Sequence, residues 1–341
     1  MKKRIISIAV SALAVVLMLA LLQPLVELKY IDNPEGRLVG EYYAEAGGHD
    51  VIFVGDCEVY ESFVPAVLWE KYGISSYIRG SAQQLAWHSY YLLEETFEYE
   101  KPSVVVFNVL ALKYGEPQSE AYNRMTLDDM RWSNTKLDAI NASMTEDEKL
   151  LDYVFPLLRY HSRITELEAN DFKYLFRSPE AASHSGYLMQ KGIVPMTEEQ
   201  TPSKPLRIDE YDLPNTAMEY LEKMRVLCEN NGAELVLIKA PTNTQKYWWY
   251  DEWDSDVREY AEQKDLVYYN FIDEVEEIGI DYMTDTYDEG LHLNVYGAEK
   301  MTEYFGNILV NNHGLASPSH TDADALAWQE RVEKYKEERN S

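Results

Sequence analysis

Cysteine is scarce in this chain, since its 341 residues contain only Cys57 and Cys228. Two cysteines cannot build the framework of several disulfides that stabilises small secreted domains. A single Cys57–Cys228 bridge is disfavoured by its context, because Cys57 follows a predicted strand and Cys228 lies within a predicted helix. We therefore expect two free thiols.

Positive charge is also scarce. The chain has 31 Lys and Arg residues against 59 Asp and Glu residues, a net charge of −28. Residues 1–28 carry +2, which leaves −30 on the remainder. A body this acidic is repelled by a phosphate backbone and by anionic lipid. Nucleic acid is therefore excluded as a partner, and any membrane attachment requires a separate segment.

Such a segment stands at the N-terminus, where an 18-residue apolar run from Ile5 to Leu22 follows the basic residues 2–4. About 20 helical residues span the hydrocarbon core of a bilayer, and basic flanks stay in the cytoplasm. Residues 1–30 are thus predicted to anchor the chain in the cell membrane by a single pass, with the body outside. A cleaved signal peptide is the alternative, but residues 21–28 offer no small-x-small cleavage site.

The body alternates short apolar runs with longer amphipathic ones. The apolar runs predict strands at 51–54, 75–78, 104–107, 234–238 and 266–271, and the amphipathic runs predict helices at 63–72, 83–99, 218–230, 257–264 and 295–310. Continuously apolar strands that alternate with helices are typical of a parallel sheet covered on both faces. The predicted fold class is therefore α/β: a doubly wound, three-layer α/β/α sandwich with a mainly parallel sheet.

The alternation is interrupted between residues 114 and 213. Helices are predicted there at 127–144 and 150–167, followed by an irregular polar segment at 178–205. Because strands resume afterwards, we interpret this stretch as a helical insertion in one domain that covers residues 31–316. Residues 317–341 form a polar tail with a predicted surface helix at 328–336.

Reactive residues follow the predicted strands. The strand ends deliver Asp56, Cys57 and Glu58, then Gly80 and Ser81, then Asn108, and finally residues 239–243, while Asp285, Asp288, Glu289 and His292 precede the last helix. Ligands of open parallel sheets bind at the carboxyl ends of the strands. A nucleophile, amide donors and a carboxylate–histidine pair at one such edge are what acyl-transfer catalysis requires.

Four segments in this order resemble the SGNH/GDSL hydrolases: VIFVGDCEVYESF, YIRGSAQQ, VVVFNVL and TDTYDEGLHLNVYGAEK. They extend over residues 50–311, most of the body apart from the insertion. With its N-terminal anchor the chain is most similar to the membrane-anchored, outward-facing branch, which includes DltD-like proteins and SGNH partners of membrane O-acyltransferases. The resemblance implies an esterase or acyltransferase that acts on an acylated cell-envelope glycan or teichoic-acid-like polymer, without cofactor or metal.

The resemblance also implies residue roles. Cys57 is the nucleophile and His292 the general base, while Gly80, Asn108 and the amide of Cys57 form the oxyanion hole. The family usually has Ser in place of Cys57, and its acid usually lies three residues before the His, where this chain has Glu289. We choose Asp288 instead, because Asp is the commoner orienting group; Glu289 and Asp285 stay open. Since a neighbouring imidazolium lowers a thiol pKa, we expect the Cys57 thiolate to be populated near neutral pH.

Each of these patterns has a second interpretation. Cys57 can be a buried, inert thiol in a degenerate site, in which case the domain binds the polymer or serves as scaffold for a membrane O-acyltransferase. The acidic residues before His292 can hold a metal, although no second His supports this. Residues Trp248, Trp249, Tyr250 and Trp253 form either a glycan platform or sheet packing. The basic segment 159–163 either lines an anionic groove or pairs with nearby carboxylates.

Overall fold

The structure is a computed structural model that describes residues 2–28, 34–169, 171–172, 180–196, 212–243, 249–316 and 318–341. Trp248 and parts of the predicted segment at 178–205 lie outside these residues. The sheet is built from β1 (Val51–Gly55), β2 (Ser76–Gly80), β3 (Val104–Asn108), β4 (Glu234–Lys239) and β5 (Val267–Asn270). All pairings are parallel, in the order β2-β1-β3-β4-β5. The predicted doubly wound α/β fold is confirmed.

The helices occupy the connections between these strands and both ends of the chain. They are α1 (Lys2–Leu28), α2 (Leu38–Glu45), α3 (Cys57–Tyr60), α4 (Pro65–Tyr72), α5 (Ala86–Tyr99), α6 (Glu120–Leu127), α7 (Asn134–Ser143), α8 (Leu150–Val154), α9 (Leu157–Tyr160), α10 (Asn215–Asn231), α11 (Tyr250–Gln263), α12 (Val275–Ile278), α13 (Val295–Asn312) and α14 (Asp322–Asn340). Short 3-10 helices lie at Pro34–Arg37, Val109–Lys113 and His161–Glu166.

The strand sequences explain the layered arrangement. β1, β2 and β3 are buried along their whole length, so both of their faces need apolar partners. On one face Phe53 packs against Phe63 and Phe305, with α4 and α13 above it. On the other face Phe107 and Leu237 pack in a cluster with residues of α5, α10 and α11. The result is the three-layer sandwich.

Helix ends follow local chemistry. α4 and α10 end at Gly73 and Gly232, both in the left-handed conformation that glycine adopts without steric cost. In the insertion, the helix predicted at 127–144 is shorter and covers only Asn134–Ser143, because Ser133 accepts a hydrogen bond from the N–H of Lys136 and caps its start. The helix predicted at 150–167 is interrupted at Pro156, which lacks an N–H donor.

The N-terminal helix α1 stands apart from the sandwich. Its residues Arg4–Gln23 are long and apolar enough to cross a membrane, and none of that window is buried in the protein. Only the end of α1 joins the body: Leu25 and Val26 are buried, and α1 contacts α9 and the 3-10 helix His161–Glu166. The chain thus combines an apolar helix long enough to span a membrane with an acidic α/β body.

The C-terminal helix α14 is longer than the predicted surface helix at 328–336 and has a buried face. A capping box between Thr321 and Asp324 starts it. Trp328 and Tyr335 are buried, and the indole of Trp328 stacks on Trp69 of α4 with 5.4 Å between ring centroids and 15° between planes. The polar tail therefore contributes to the core instead of lying loosely on it.

We expect Trp328→Ala to destabilise the protein by about 3 kcal/mol, because a buried indole and its stacking partner are lost together. The matched control is Leu326→Ala on the same helix, whose side chain is exposed and whose loss should change the unfolding free energy very little. Urea unfolding of the detergent-solubilised full chain measures both. Equal effects of the two substitutions would mean that α14 does not pack as described.

Candidate functional site

The turn after β1 presents Cys57 at the carboxyl edge of the sheet. Asp56 caps the one-turn helix α3 by accepting a hydrogen bond from the N–H of Glu58. Gly55 is needed at the tight entry to this turn, because a Cβ there would lie 2.5 Å from Cγ2 of Val59. The backbone geometry therefore places the Cys57 side chain where the neighbouring strands also end.

Three of the predicted site residues come together in a hydrogen-bonded chain. Nε2 of His292 lies 3.0 Å from Sγ of Cys57, and Nδ1 of His292 lies 2.6 Å from Oδ2 of Asp288. The other carboxylate oxygen of Asp288 accepts the backbone N–H of His292 at 2.7 Å. This is the arrangement of a nucleophile, a base and an orienting acid.

Of the three acids left open by the sequence, only Asp288 contacts the His292 imidazole among the described residues. Asp285 is buried and instead accepts hydrogen bonds from Nζ of Lys300 and the N–H of Asp281. Glu289 is exposed and has a left-handed backbone with φ of 63°. That turn absorbs the extra residue between Asp288 and His292.

The loop that carries His292 is held by the end of β4. The hydroxyl of Thr242 donates to the carbonyl of Leu291 at 2.6 Å, and the N–H of Asn243 donates to the carbonyl of Gly290 at 2.8 Å. From the sequence, Thr242 and Asn243 were predicted to lie at the sheet edge, but no function was assigned to them. In the structure they fix the His292 loop relative to the end of β4.

A second carboxylate near His292 was missed in the sequence. The ring of Tyr287 stacks on His292 with 6.1 Å between centroids, and its hydroxyl donates to both carboxylate oxygens of Glu61 at 2.9 Å. Burial raises the pKa of Glu61 to about 7, although the imidazole of His292 opposes the rise. The available signal was the spacing of Glu61 four residues after Cys57, about one helical turn.

Asn108, a predicted member of the oxyanion hole, is engaged with carboxylates in the structure. Nδ2 of Asn108 donates to Oδ1 of Asp56 at 3.2 Å and to Oε2 of Glu58 at 2.9 Å. Both amide hydrogens thus already have carboxylate acceptors, and Asn108 is not an open donor. Gly80 lies beside Gly55 in the sheet register. No backbone hydrogen bond from the N–H of Cys57 to another described residue outside its own helix is found.

A buried ion pair lies beneath the Cys57 turn. Nζ of Lys239, at the end of β4, donates to both carboxylate oxygens of Glu58 at 2.9 and 2.8 Å and to the carbonyl of Ala240. Both side chains are buried, and burial lowers the pKa of Lys239 despite the neighbouring carboxylate. The pair was not predicted from sequence, since its two residues are 181 positions apart.

The electrostatics of Cys57 differ from the expectation of a populated thiolate. Burial raises the pKa of the thiol to about 11, and the Asp56 carboxylate adds to the rise, against the lowering effect of His292. Burial lowers the pKa of His292, but its hydrogen bonds to Asp288 and Cys57 outweigh burial and raise it above its usual value. Burial and Asp56 thus oppose ionisation of the Cys57 thiol, whereas the hydrogen bond to Asp288 favours a protonated His292.

Both cysteines are free. Among the described residues, no group of three or more His, Cys, Asp or Glu side chains is placed to hold a metal. Trp253 is fully buried and packs against Trp249 and Tyr250, which favours sheet packing over a glycan platform. Trp248 lies outside the described residues.

No protein-family model matches this sequence, and no curated protein matches it significantly.

We expect Lys239→Met to cost about 3–5 kcal/mol of stability, because it leaves the Glu58 carboxylate buried without its cation. Adding Glu58→Gln should recover much of that loss, since the amide needs no counter-charge. The matched control is Lys264→Met, which breaks the half-exposed pair with Glu222 and should cost less than about 1 kcal/mol. Urea unfolding in detergent provides the values; a double variant as unstable as Lys239→Met alone would contradict the role of the pair.

Glu61 should make stability depend on pH. Its pKa is about 7 in the folded state against 4.5 for the unperturbed group, so the folded state keeps a proton that the unfolded chain releases. The contribution of Glu61 to the free energy of unfolding is therefore largest below pH 4.5, and it is lost as the pH rises through about 7. We expect Glu61→Gln to flatten the decline, with a gain on the order of 1–3 kcal/mol over wild type at pH 8.

The comparison is made by urea unfolding at pH 5 and pH 8. Burial raises the pKa of Asp56 to about 6, so Asp56 also makes stability fall as the pH rises. The Glu61→Gln variant should therefore still lose stability between pH 5 and pH 8, but less than wild type. Parallel curves for wild type and Glu61→Gln would exclude a buried, protonated Glu61.

Proposed function

We propose that this protein is a membrane-anchored, cell-surface enzyme of the SGNH/GDSL hydrolase type that moves an acyl group off or onto a cell-envelope polymer. The observation that carries the proposal is the hydrogen-bonded chain from Cys57 through His292 to Asp288 at the carboxyl edge of a parallel sheet. This edge is where open α/β sheets bind their ligands.

The geometry supports a thioester mechanism. When His292 is neutral, its Nε2 accepts the thiol proton while Sγ of Cys57 attacks the acyl carbonyl. Asp288 holds the imidazole through Nδ1 and stabilises the imidazolium that forms. The N–H of Cys57, beside Gly80, is the proposed donor to the oxyanion. As the tetrahedral adduct collapses, His292 returns the proton to the departing alcohol, and the acyl group remains on sulfur.

The second half of the reaction decides between two activities. If water attacks the thioester, His292 takes its proton and the products are free acid and thiol, so the protein is an esterase. If a polymer hydroxyl attacks, the acyl group is transferred. The similarity to the anchored SGNH branch favours an acylated glycan or teichoic-acid-like polymer as substrate and a membrane O-acyltransferase as partner.

The proposed location follows from α1 and the charges around it. The apolar window Arg4–Gln23 has the length of a spanning helix; Lys2 and Lys3 precede it and Arg4 is its first residue. Basic residues before a span favour a cytoplasmic N-terminus, which puts the body outside.

A non-catalytic function is the second candidate, and two observations favour it. The amide of Asn108 is engaged with buried carboxylates, and burial raises the pKa of Cys57. Under this hypothesis the domain binds the polymer or docks on the acyltransferase, and Cys57 stays inert.

The deciding experiment looks for the acyl-enzyme. The detergent-solubilised full chain is treated with p-nitrophenyl acetate, and the acetylated residue is located by mass spectrometry. We expect acetylation at Cys57 with a rate that rises with pH into the alkaline range, because burial raises the pKa of its thiol. His292→Ala should slow p-nitrophenol release by about two to four orders of magnitude.

Cys228→Ser is the matched control and should leave the rate unchanged, since Cys228 is buried on α10 away from the site. Cys57→Ser should keep some activity, because base and acid are the same. Equal, slow acetylation of both cysteines that ignores His292→Ala would reject catalysis and favour the binding function.

A further inference from the structure

Large apolar side chains are unusually exposed on one part of the insertion. Outside α1, the described residues have seventeen exposed large hydrophobic side chains, and seven of them lie between residues 150 and 172. Six of these seven form what we call the insertion patch: Leu150, Leu151, Val154, Phe155, Leu158 and Ile164. Contiguous exposed apolar groups mark a surface that another phase or molecule covers.

The opposite side of the same short helices is well packed. Tyr153 and Tyr160 are each 2% exposed, and their hydroxyls donate to Glu148 and Asp128. By contrast, Leu151 is 55% and Phe155 53% exposed. The segment thus turns its tyrosines inward and its aliphatic and phenyl groups outward, so the exposure is not a consequence of poor packing.

The position of the insertion patch indicates what covers it. The membrane-crossing window of α1 ends at Gln23, and Leu25 and Val26 are buried in the body immediately afterwards. The elements that α1 contacts there are α9 and the 3-10 helix His161–Glu166, which carry Leu158 and Ile164. At 1.5 Å per residue, this junction lies within a few ångströms of the end of the spanning segment.

Charge is consistent with a lipid surface at this place. Although the whole chain has a net charge of −28, residues 149–166 contain Lys149, Arg159 and Arg163 against Asp152 and Glu166, a net of +1, with Arg159 paired to Glu120 of α6. The acidic body is repelled by anionic headgroups, whereas this segment is not. Apolar side chains with basic neighbours are typical of segments that lie in the membrane interface.

We propose that the insertion patch lies in the headgroup–acyl boundary of the bilayer that α1 crosses, in the leaflet on the side of the body. The occupant of this surface is lipid. The inference rests on the proposed membrane anchoring by α1 and does not depend on the acyl chemistry. The body then has two attachments, the end of α1 and the patch, so it cannot rotate freely about a single tether.

The test measures depth with the full chain in phosphatidylcholine vesicles. A bimane fluorophore is attached to a single introduced cysteine in a Cys57→Ser/Cys228→Ser background. Phe155→Cys probes the patch, Leu326→Cys on α14 is an exposed apolar control outside it, and Leu13→Cys reports on α1. Quenching by doxyl-labelled lipid is compared with quenching by aqueous iodide.

We expect doxyl lipid to quench the label at position 155 several-fold more than the label at 326, with the reverse order for iodide. If the label at position 155 is quenched like the label at 326 while the label at 13 is quenched by lipid, α1 is in the membrane and the patch proposal is wrong. If the label at 13 is quenched by iodide and not by lipid, membrane anchoring itself is wrong, and the patch proposal fails with it.

A protein partner is distinguished from lipid in intact cells. A photoactivatable benzoylphenylalanine replaces Leu158 in the full chain, and cross-linked products are separated by mass. Lipid adducts support the proposal, whereas a covalent link to another protein shows that a protein covers the patch and overturns it.

Discussion

The buried ion pair between Lys239 and Glu58 is the interaction on which the site depends. It joins the turn after β1 to the end of β4, and Asn108 from β3 completes the network by donating to Glu58. Burying two charges is favourable only when their remaining donors and acceptors are satisfied. Here the Lys239 ammonium also donates to the Ala240 carbonyl, and the Asn108 side-chain oxygen accepts the Ala240 N–H. Three strand ends are thereby fixed relative to one another directly beneath Cys57.

The same end of β4 also holds the base. Thr242 and Asn243 bind the carbonyls of Leu291 and Gly290, so the loop before α13 is tied to the strand that neutralises Glu58. A distance of 3.0 Å between Cys57 and His292 thus results from contacts that neither residue makes itself. This arrangement is what a preorganised site requires, because the reacting groups must be held by neighbours that cannot move independently.

The sequence predicted the features that depend on local pattern and failed on those that depend on partners. Strands such as Val104–Asn108 were readable because they are continuously apolar, and Cys57, Asp288 and His292 because they follow strands or precede a helix. The carboxylate partners of Asn108 were not readable, since a residue type does not reveal which acceptor its amide meets, and its oxyanion role stays a prediction. The contact of Glu61 with Tyr287 joins residues 226 positions apart, and no local sequence pattern predicts that these two residues meet. Pro156, by contrast, was a visible helix breaker that the periodic pattern obscured.

The insertion contacts both the end of α1 and the loop that carries His292. Its helices α8 and α9 carry the exposed apolar patch, while its later residues lie along the loop of His292. Val194 donates its N–H to the carbonyl of Thr286 and accepts the N–H of Glu289, next to Asp288. The carboxyl ends of the parallel strands all lie at one edge of the sheet. A single membrane-spanning helix would not by itself determine which way that edge faces relative to the membrane. Because the insertion packs against α1 at one end and against the His292 loop at the other, it would supply that constraint if α1 crosses the membrane as proposed. The proposed acyl transfer to a tethered polymer would require such a fixed orientation, since attack on a thioester depends on the direction from which the hydroxyl approaches.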